Sequence, residues 1–352
     1  MAYTNIDDPS AYFHTQLYTG NGTAIGSGGN VITNNANSGN FKPDWTWHKV
    51  RSTANDHQVY DSSRGVKIRL NPNATNSDFT LNEGLQSFDT NGFTVGSDGG
   101  VNSNNQTFAA WQWKANGGTT ASNSDGSITS TVQANTDAGF SIVTFTGTGA
   151  TTTVGHGLGV KPSLFIIKNR SATSNWFTYT DVIDGSLDFL YLNSTDAKID
   201  SGLSAPTTSV FTVNSSTAPN TNTIIAYCFA EKQGYSKFGS YVGNANTDGT
   251  FVYLGFKPAF IIFKNTQQTT NWAMYDVKRD SFNVATNELQ PNTTAAANDD
   301  IPYSQIDILS NGIKMRNNNG LNTNANSGQK FIYMAWAENP FVTSTGIPTT
   351  AR

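Results

Sequence analysis

Three aspartates recur beside a tyrosine in well-separated parts of the chain: Asp61, Asp181 and Asp276. Two carboxylates held about 5–10 Å apart are the groups with which most glycoside hydrolases cleave a polysaccharide. A catalytic pair has no reason to occur in triplicate, whereas a residue that holds a strand end recurs wherever that strand does. We therefore interpret these aspartates as structural and predict that the chain has no catalytic residues.

Residues that bind metals are few and poorly spaced. The four histidines, at positions 14, 48, 57 and 156, form no pair at a zinc-ligand spacing, and the single cysteine, Cys228, excludes an intrachain disulfide. The segment from Asn244 to Asp248 resembles a calcium loop, but Gly255 replaces the glutamate expected at its twelfth position. Asx turns explain this segment without a metal. We predict neither a metal site nor another cofactor.

One pattern of landmarks occurs three times. A Lys-Pro pair precedes an apolar run, a second lysine follows the first by seven residues, and a tyrosine follows it by 18. The pairs are Lys42 and Pro43, Lys161 and Pro162, and Lys257 and Pro258; the second lysines are Lys49, Lys168 and Lys264; the tyrosines are Tyr60, Tyr179 and Tyr275. Trp176 and Trp272 lie 15 residues after the first lysine, where the first copy has His57. This shared spacing predicts three related modules.

The segments that open and close each copy are rich in aromatic and β-branched residues and are bounded by Gly, Pro, Asn and Thr, which is typical of strands. The closing segments contain Trp111 and Trp336, and we align them on a central alanine: Ala110, Ala226 and Ala335. Tryptophans that alternate with other residues lie on one face of a strand, so we expect them in a core. The fold class predicted is all-β, with three tandem related β-sandwich modules of jelly-roll or lectin-like type and little helix.

The boundaries follow from these landmarks. We predict β-sandwich modules at residues 1–116, 138–233 and 234–341, a flexible linker at 117–137 and a polar tail at 342–352. The Lys-Pro pairs, the three tyrosines, Trp111, Trp176, Trp272 and Trp336 are expected to hold the modules together.

Composition excludes several classes of function. Charged residues make up 13% of the chain and the net charge is −4, which argues against nucleic-acid binding. No apolar stretch approaches the roughly 18 residues of a membrane span, and the first residues lack the basic and apolar regions of a signal peptide. A low charge and exposed apolar tips favour a homo-oligomer, with a trimer preferred.

The third copy has the longest loops, and loops carry most binding variation on a sandwich scaffold. Its asparagine-rich loop is a candidate partner-facing surface and contains Asn317, Asn318, Asn319, Asn322 and Asn324.

Several strings in the first two copies resemble virion proteins of marine tailed bacteriophages, which carry a domain of uncharacterised function encoded among tail and fibre genes. The strings are residues 8–13, 17–22, 111–118, 125–135, 138–149 and 156–162. The resemblance implies a non-enzymatic structural protein on the exterior of a virion, associated with the tail or fibre. Its implied partners are other virion proteins and a host-surface glycan. A capsid-surface decoration protein and a polysaccharide-degrading enzyme remain alternatives.

Overall fold

The computed structural model describes residues 2–297, 305–318, 322–324 and 327–349. In these residues the protein is all-β, as the sequence predicts. Its helical parts are one turn, α1 (Gly99–Asn102), and two 3₁₀ turns, Pro9–Ala11 and Ile25–Ser27.

The strands are numbered along the chain. Residues 1–116 contain β1 (Phe13–Thr19), β2 (Asn30–Thr33), β3 (Trp45–Val50), β4 (Gln58–Asp61), β5 (Ile68–Arg69), β6 (Phe79–Thr80), β7 (Leu85–Asp89), β8 (Gly92–Val95) and β9 (Thr107–Trp113). Residues 117–233 contain β10 (Ala121–Asn123), β11 (Ser130–Asn135), β12 (Phe140–Thr146), β13 (Thr152–Gly155), β14 (Leu164–Asn169), β15 (Phe177–Thr180), β16 (Asp188–Tyr191), β17 (Ile199–Asp200), β18 (Val210–Val213) and β19 (Thr223–Phe229). The remaining strands are β20 (Ser236–Val242), β21 (Phe251–Tyr253), β22 (Phe256–Asn265), β23 (Ala273–Asp276), β24 (Ile306–Leu309), β25 (Gly312–Met315) and β26 (Lys330–Pro340).

Three antiparallel main sheets have the same strand order. The first main sheet is β1-β9-β3-β4, and the third is β20-β26-β22-β23. The second contains β12-β19-β14-β15 in the middle of an eight-stranded sheet, which β10 and β11 extend on one side and β16 and β17 on the other. Each main sheet has a smaller companion sheet: β2-β8-β7, β13-β18 and β21-β25-β24 respectively.

The strand register is also common to the three main sheets. Tyr60, Tyr179 and Tyr275 lie opposite Thr46, Phe165 and Ile261, each of which is the fourth residue after the first lysine of its copy. The division of the chain into three related modules stays a prediction, to which the structure contributes this shared order and register. Residues 1–116, 138–233 and 234–341 are called modules 1, 2 and 3 below.

Both faces of each main sheet are buried. One face contributes to a single central cluster that all three modules share, and it includes Trp45, Trp111, Trp113, Phe140, Tyr227, Phe229, Phe260, Trp272 and Trp336. The other face packs on the companion sheet of the same module and forms a separate outer cluster. A strand with one exposed face alternates apolar and polar residues. Burial of both faces explains why the inner strands have continuous apolar runs instead.

Two details differ from the sequence-based expectations. Residues 117–137, predicted as a flexible linker, contain β10 and β11, and the buried Gln133 side chain accepts hydrogen bonds from the backbone of Asn116 and Gly118. Trp336 lies opposite Phe260 as Trp113 lies opposite Trp45, so Trp336 matches Trp113 and not Trp111. The alanine alignment holds for Ala110 and Ala226, but in the third copy it slipped by two residues, because Tyr333 and not Ala335 lies at the matching position and a small residue does not fix the register.

Among the described residues, no helix is long and apolar enough to cross a bilayer.

Candidate functional site

The second lysine of each copy joins two modules. Each ammonium group donates to a backbone carbonyl of another module: Lys49 to Thr294 at 3.2 Å, Lys168 to Thr75 at 2.8 Å and Lys264 to Thr195 at 3.1 Å. Backbone pairs reinforce the same junctions, for example from the amide of Ser174 to the carbonyl of Thr75. Module 1 thus binds module 3, module 2 binds module 1, and module 3 binds module 2, which closes a cycle.

Burial lowers the pKa of all three lysines, to about 8 for Lys49 and Lys264 and to about 7 for Lys168. A lysine with a lowered pKa is the form that acts as a base or a Schiff-base nucleophile. These three are fully buried, and each Nζ donates to at least two oxygens of the protein. Because these ammonium groups are bonded to carbonyl oxygens of the protein, a structural role describes the three lysines better than a catalytic one.

The residue that lies 15 positions after the first lysine of each copy forms a second contact across each junction. His57 Nε2 lies 3.1 Å from the carbonyl oxygen of Gln290, Trp176 Nε1 donates to Asn71 at 2.8 Å, and Trp272 Nε1 donates to Tyr191 at 2.9 Å. Trp47 Nε1 donates to His57 Nδ1, so His57 carries its proton on Nε2 and donates to Gln290. Trp176 and Trp272 are 1% and 0% exposed, as expected of core residues.

An asparagine that the sequence analysis missed positions each of these residues. The backbone amides of His57, Trp176 and Trp272 donate to the side-chain oxygens of Asn73, Asn193 and Asn292, at 2.9, 2.8 and 3.0 Å. The loops that precede these asparagines differ in length, so no constant spacing marks them. The available signal is local, because each asparagine follows a buried leucine by one to three residues: Leu70, Leu192 and Leu289.

The recurring aspartates are engaged in ion pairs. Asp61 pairs with Arg64 and Asp276 with Arg279, each at 2.5 Å with both side chains fully buried. A residue of another module donates to each carboxylate: Tyr227 Oη to Asp61 at 2.7 Å, and Trp111 Nε1 to Asp276 at 3.1 Å. Asp181 differs, because it lies one position later in its copy and pairs with Lys161 near the surface. These carboxylates are therefore fixed by arginine, lysine and aromatic donors and do not face one another across a cleft.

Module 2 has an apolar version of the same contact. The position of Arg64 and Arg279, 22 residues after the first lysine, is Ile183 in module 2. By strand register, the residue that matches Trp111 and Tyr227 in module 3 is Met334. Ile183 and Met334 both belong to the central cluster. The charged residue and its polar partner are thus both replaced by apolar ones.

The three tyrosines and the three Lys-Pro pairs have separate places. Tyr60, Tyr179 and Tyr275 are buried in the outer clusters, where Tyr60 donates to Gln58 and Tyr275 to Glu288. The first lysines lie nearer the surface, with Lys42 donating to the Gly117 carbonyl and Lys257 paired with Glu338. Pro43 and Pro162 lie two residues before their strands, whereas Pro258 lies at a bulge inside β22, where a missing N–H is tolerated.

The asparagine-rich loop of module 3 is partly turned inward. Asn317 and Asn324 are buried, and the Asn324 amide donates to the carbonyls of Asn317 and Asn246. Asn322 donates to Glu288, Asn318 is exposed, and Asn319 lies outside the described residues. The partner-facing role of this loop stays a prediction, and its exposed part among the described residues is narrower than the sequence indicates.

The calcium-like segment forms Asx turns. The amides of Asn246 and Asp248 donate to the side-chain oxygens of Asn244 and Asn246, and the Asp248 carboxylate pairs with Lys314. No group of three or more His, Cys, Asp or Glu side chains is arranged to hold a metal in the part of the chain that the structure describes.

A family model described as a domain of unknown function, DUF7483, matches residues 8–340. This match spans nearly the whole chain, so the protein belongs to that family. No curated protein and no solved structure matches the chain.

Proposed function

We propose that this member of the DUF7483 family is a non-enzymatic structural protein of a bacteriophage virion, associated with the tail or fibre and exposed on the particle exterior. The observation that supports this role best is the use made of the chemistry-bearing residues. The lysines of lowered pKa, the buried carboxylates and His57 all bind backbone or side-chain groups across module junctions. These polar groups therefore hold the modules together, as is expected of a structural protein.

The sequence supports the same role. The strings that resemble virion proteins lie in modules 1 and 2, and much of the surface carries amide and hydroxyl groups with few charges. A rigid β-rich body of this kind suits a particle appendage that binds neighbouring virion proteins and a host-surface glycan.

The closed cycle of junctions bears on assembly. Each module binds the next through its lysine in a head-to-tail cycle, so the three modules of one chain already use the contacts by which three separate modules would form a trimer. A homotrimer of the full chain, which the composition favours, therefore has to use the outer companion sheets or the loops.

The location in the particle is the sharpest test. Purified virions of a phage that encodes this chain are labelled with gold-conjugated antibodies and viewed by electron microscopy. Label at the tail or fibre is expected, label over the head would make the chain a capsid decoration, and unlabelled particles would refute the virion role. Release of reducing ends from host polysaccharide by the purified protein would overturn the non-enzymatic assignment.

A further inference from the structure

A groove with no counterpart in the repeat runs along the boundary of modules 2 and 3. It consists of two adjoining cavities of about 340 and 250 Å³, which share Tyr3 and Gln233 in their walls. The first is also lined by Tyr12, Asp137 and Lys232, and the second by Glu231, Lys237 and Tyr253. Cavities of this size are typical of small-molecule sites.

The N-terminal segment forms one wall, and two glycines allow its approach. The Thr4 hydroxyl donates to the carbonyl of Gln233 at 2.7 Å, and a Cβ atom on Gly234 would lie 2.8 Å from the Thr4 Cβ. The Tyr3 hydroxyl donates to the carbonyl of Gly255 at 2.7 Å. A Cβ atom on Gly255 would lie 2.5 Å from the Tyr3 hydroxyl oxygen. Side chains at either glycine would therefore push this wall away.

The groove combines aromatic rings with polar groups that the protein leaves unused. Tyr253 is 48% exposed, and Lys237 Nζ lies 5.4 Å from its ring centre. Asp137, Glu231 and Gln233 are exposed, and their side chains have no hydrogen-bond or ion-pair partner within the described part of the chain, whereas Lys237 donates to the carbonyl of Tyr253 at 3.2 Å. The two acids and two lysines of the groove balance in charge, which favours an uncharged ligand.

We propose that this groove binds a neutral oligosaccharide. Tyrosine rings present the flat apolar faces on which the C–H face of a sugar ring packs, and the exposed carboxylate, amide and ammonium groups of the groove bond its hydroxyls. Phe251 lies two residues before Tyr253 on the same face of β21 and is 44% exposed, so it extends the aromatic surface beyond the groove. The inference deepens the proposed attachment role and rests on it only for the source of the sugar.

The test uses the full-length protein with maltohexaose, cellohexaose and laminarihexaose as probes, monitored by saturation-transfer NMR and isothermal titration calorimetry. At least one probe is expected to bind. Tyr253→Ala and Gln233→Ala are each expected to raise its dissociation constant at least tenfold. Tyr253→Phe, which keeps the ring, is expected to change it less than threefold. Phe282→Ala, at an aromatic residue 81% exposed that lines neither cavity, is the matched control and should leave binding unchanged.

No transfer to any of the three probes, or binding that Tyr253→Ala and Gln233→Ala leave unchanged in folded protein, would overturn the groove assignment. Thermal unfolding of each variant establishes that it is folded. The outcome is separable from that of the proposed function. Virions that carry the protein while the groove binds none of these probes refute only the groove, and sugar binding by a protein absent from virions refutes only the virion role.

Discussion

One difference between the junction of modules 1 and 3 and the junction of modules 3 and 2 is an exchange of side chains. At the first, Trp47 and His57 meet, with the indole Nε1 2.9 Å from the imidazole Nδ1. At the second, the matching residues are Ile262 and Trp272. The indole ring thus lies on strand β3 at the first junction and on the residue just before strand β23 at the second. At both junctions the residue 15 positions after the first lysine donates to a carbonyl of the other module.

The buried ion pairs make the same point with charge. Modules 1 and 3 each bury an aspartate and an arginine beside an aromatic donor, and module 2 buries Ile183 in the same central cluster as Met334. A junction thus tolerates different residues as long as the volume is filled and each buried polar group is bonded. What is fixed across the three junctions is the pattern of contacts to the backbone.

The largest effect is expected from removing half of a buried ion pair. Arg279→Ile should destabilise the protein by about 3–5 kcal/mol, because it leaves the Asp276 carboxylate buried without its cation. Adding Asp276→Thr gives module 3 the Thr-Ile combination found at Thr180 and Ile183, and should recover most of that loss. Urea unfolding of the wild type, the single variant and the double variant measures both values. A double variant no more stable than Arg279→Ile would mean that the apolar contact does not transfer between junctions.

The exchange between Trp47 and His57 in module 1 and isoleucine and tryptophan in the other modules predicts that the two positions are strongly coupled in stability. His57→Trp alone should cost about 2–3 kcal/mol, since the larger ring meets Trp47 and that indole loses its acceptor. Combined with Trp47→Ile, which recreates the arrangement of module 2, it should cost much less than the sum of the two single changes. The four proteins form a double-mutant cycle, with a coupling of at least about 1.5 kcal/mol expected in favour of the pair. Additive losses would contradict the equivalence of the junctions.

Some of this structure was accessible from the sequence and some was not. Repeated residue types at constant spacing predicted the all-β class and the burial of Trp176 and Trp272, because each of these residues directly precedes a strand at a constant distance from the first lysine of its copy. The asparagines that position His57, Trp176 and Trp272 were not predictable, since they follow loops of different lengths. The contacts between modules were not predictable either, because they are made to backbone carbonyl groups, which no residue type marks in the sequence. Residues 117–137, predicted as a linker, contain β10 and β11, because a run of Gly, Ser, Thr and Asn is found in an exposed edge strand such as β10 as well as in a linker.

Acid should weaken module 1 most directly, because it alone places histidines in its main sheet. Burial lowers the pKa of His48 to about 3, and burial together with the nearby Lys49 lowers that of His57 well below its usual value. Both are neutral when folded and bind a proton when unfolded below about pH 6.5, so their contribution is complete above that pH and falls as the pH drops. For His48 the loss is about 2 kcal/mol at pH 5 and grows by about 1.4 kcal/mol per further pH unit down to about pH 3.

The variant His48→Ile tests this, because Ile167 occupies the matching position in module 2. The free energy of unfolding at pH 7 and pH 5 is compared with that of the wild type. The variant should lose about 2 kcal/mol less than the wild type over this interval, whatever its stability at pH 7. An identical loss in both proteins would show that His48 is protonated in the folded state.

The smallest effect is expected at Trp113, and its neighbour on the strand provides the contrast. Both Trp111 and Trp113 are buried in the central cluster, but Trp111 Nε1 donates to Asp276, whereas Trp113 Nε1 has no partner among the described residues. Trp113→Phe places there the residue that module 2 has at Phe229 and removes an unbonded donor, so it should cost only about 1 kcal/mol. Trp111→Phe makes the same change in size but takes one donor from a buried carboxylate, which should cost about 1.5–3 kcal/mol more. Thermal and urea unfolding of the two variants measure the difference, and equal losses would mean that the Trp111 bond to Asp276 adds nothing beyond packing.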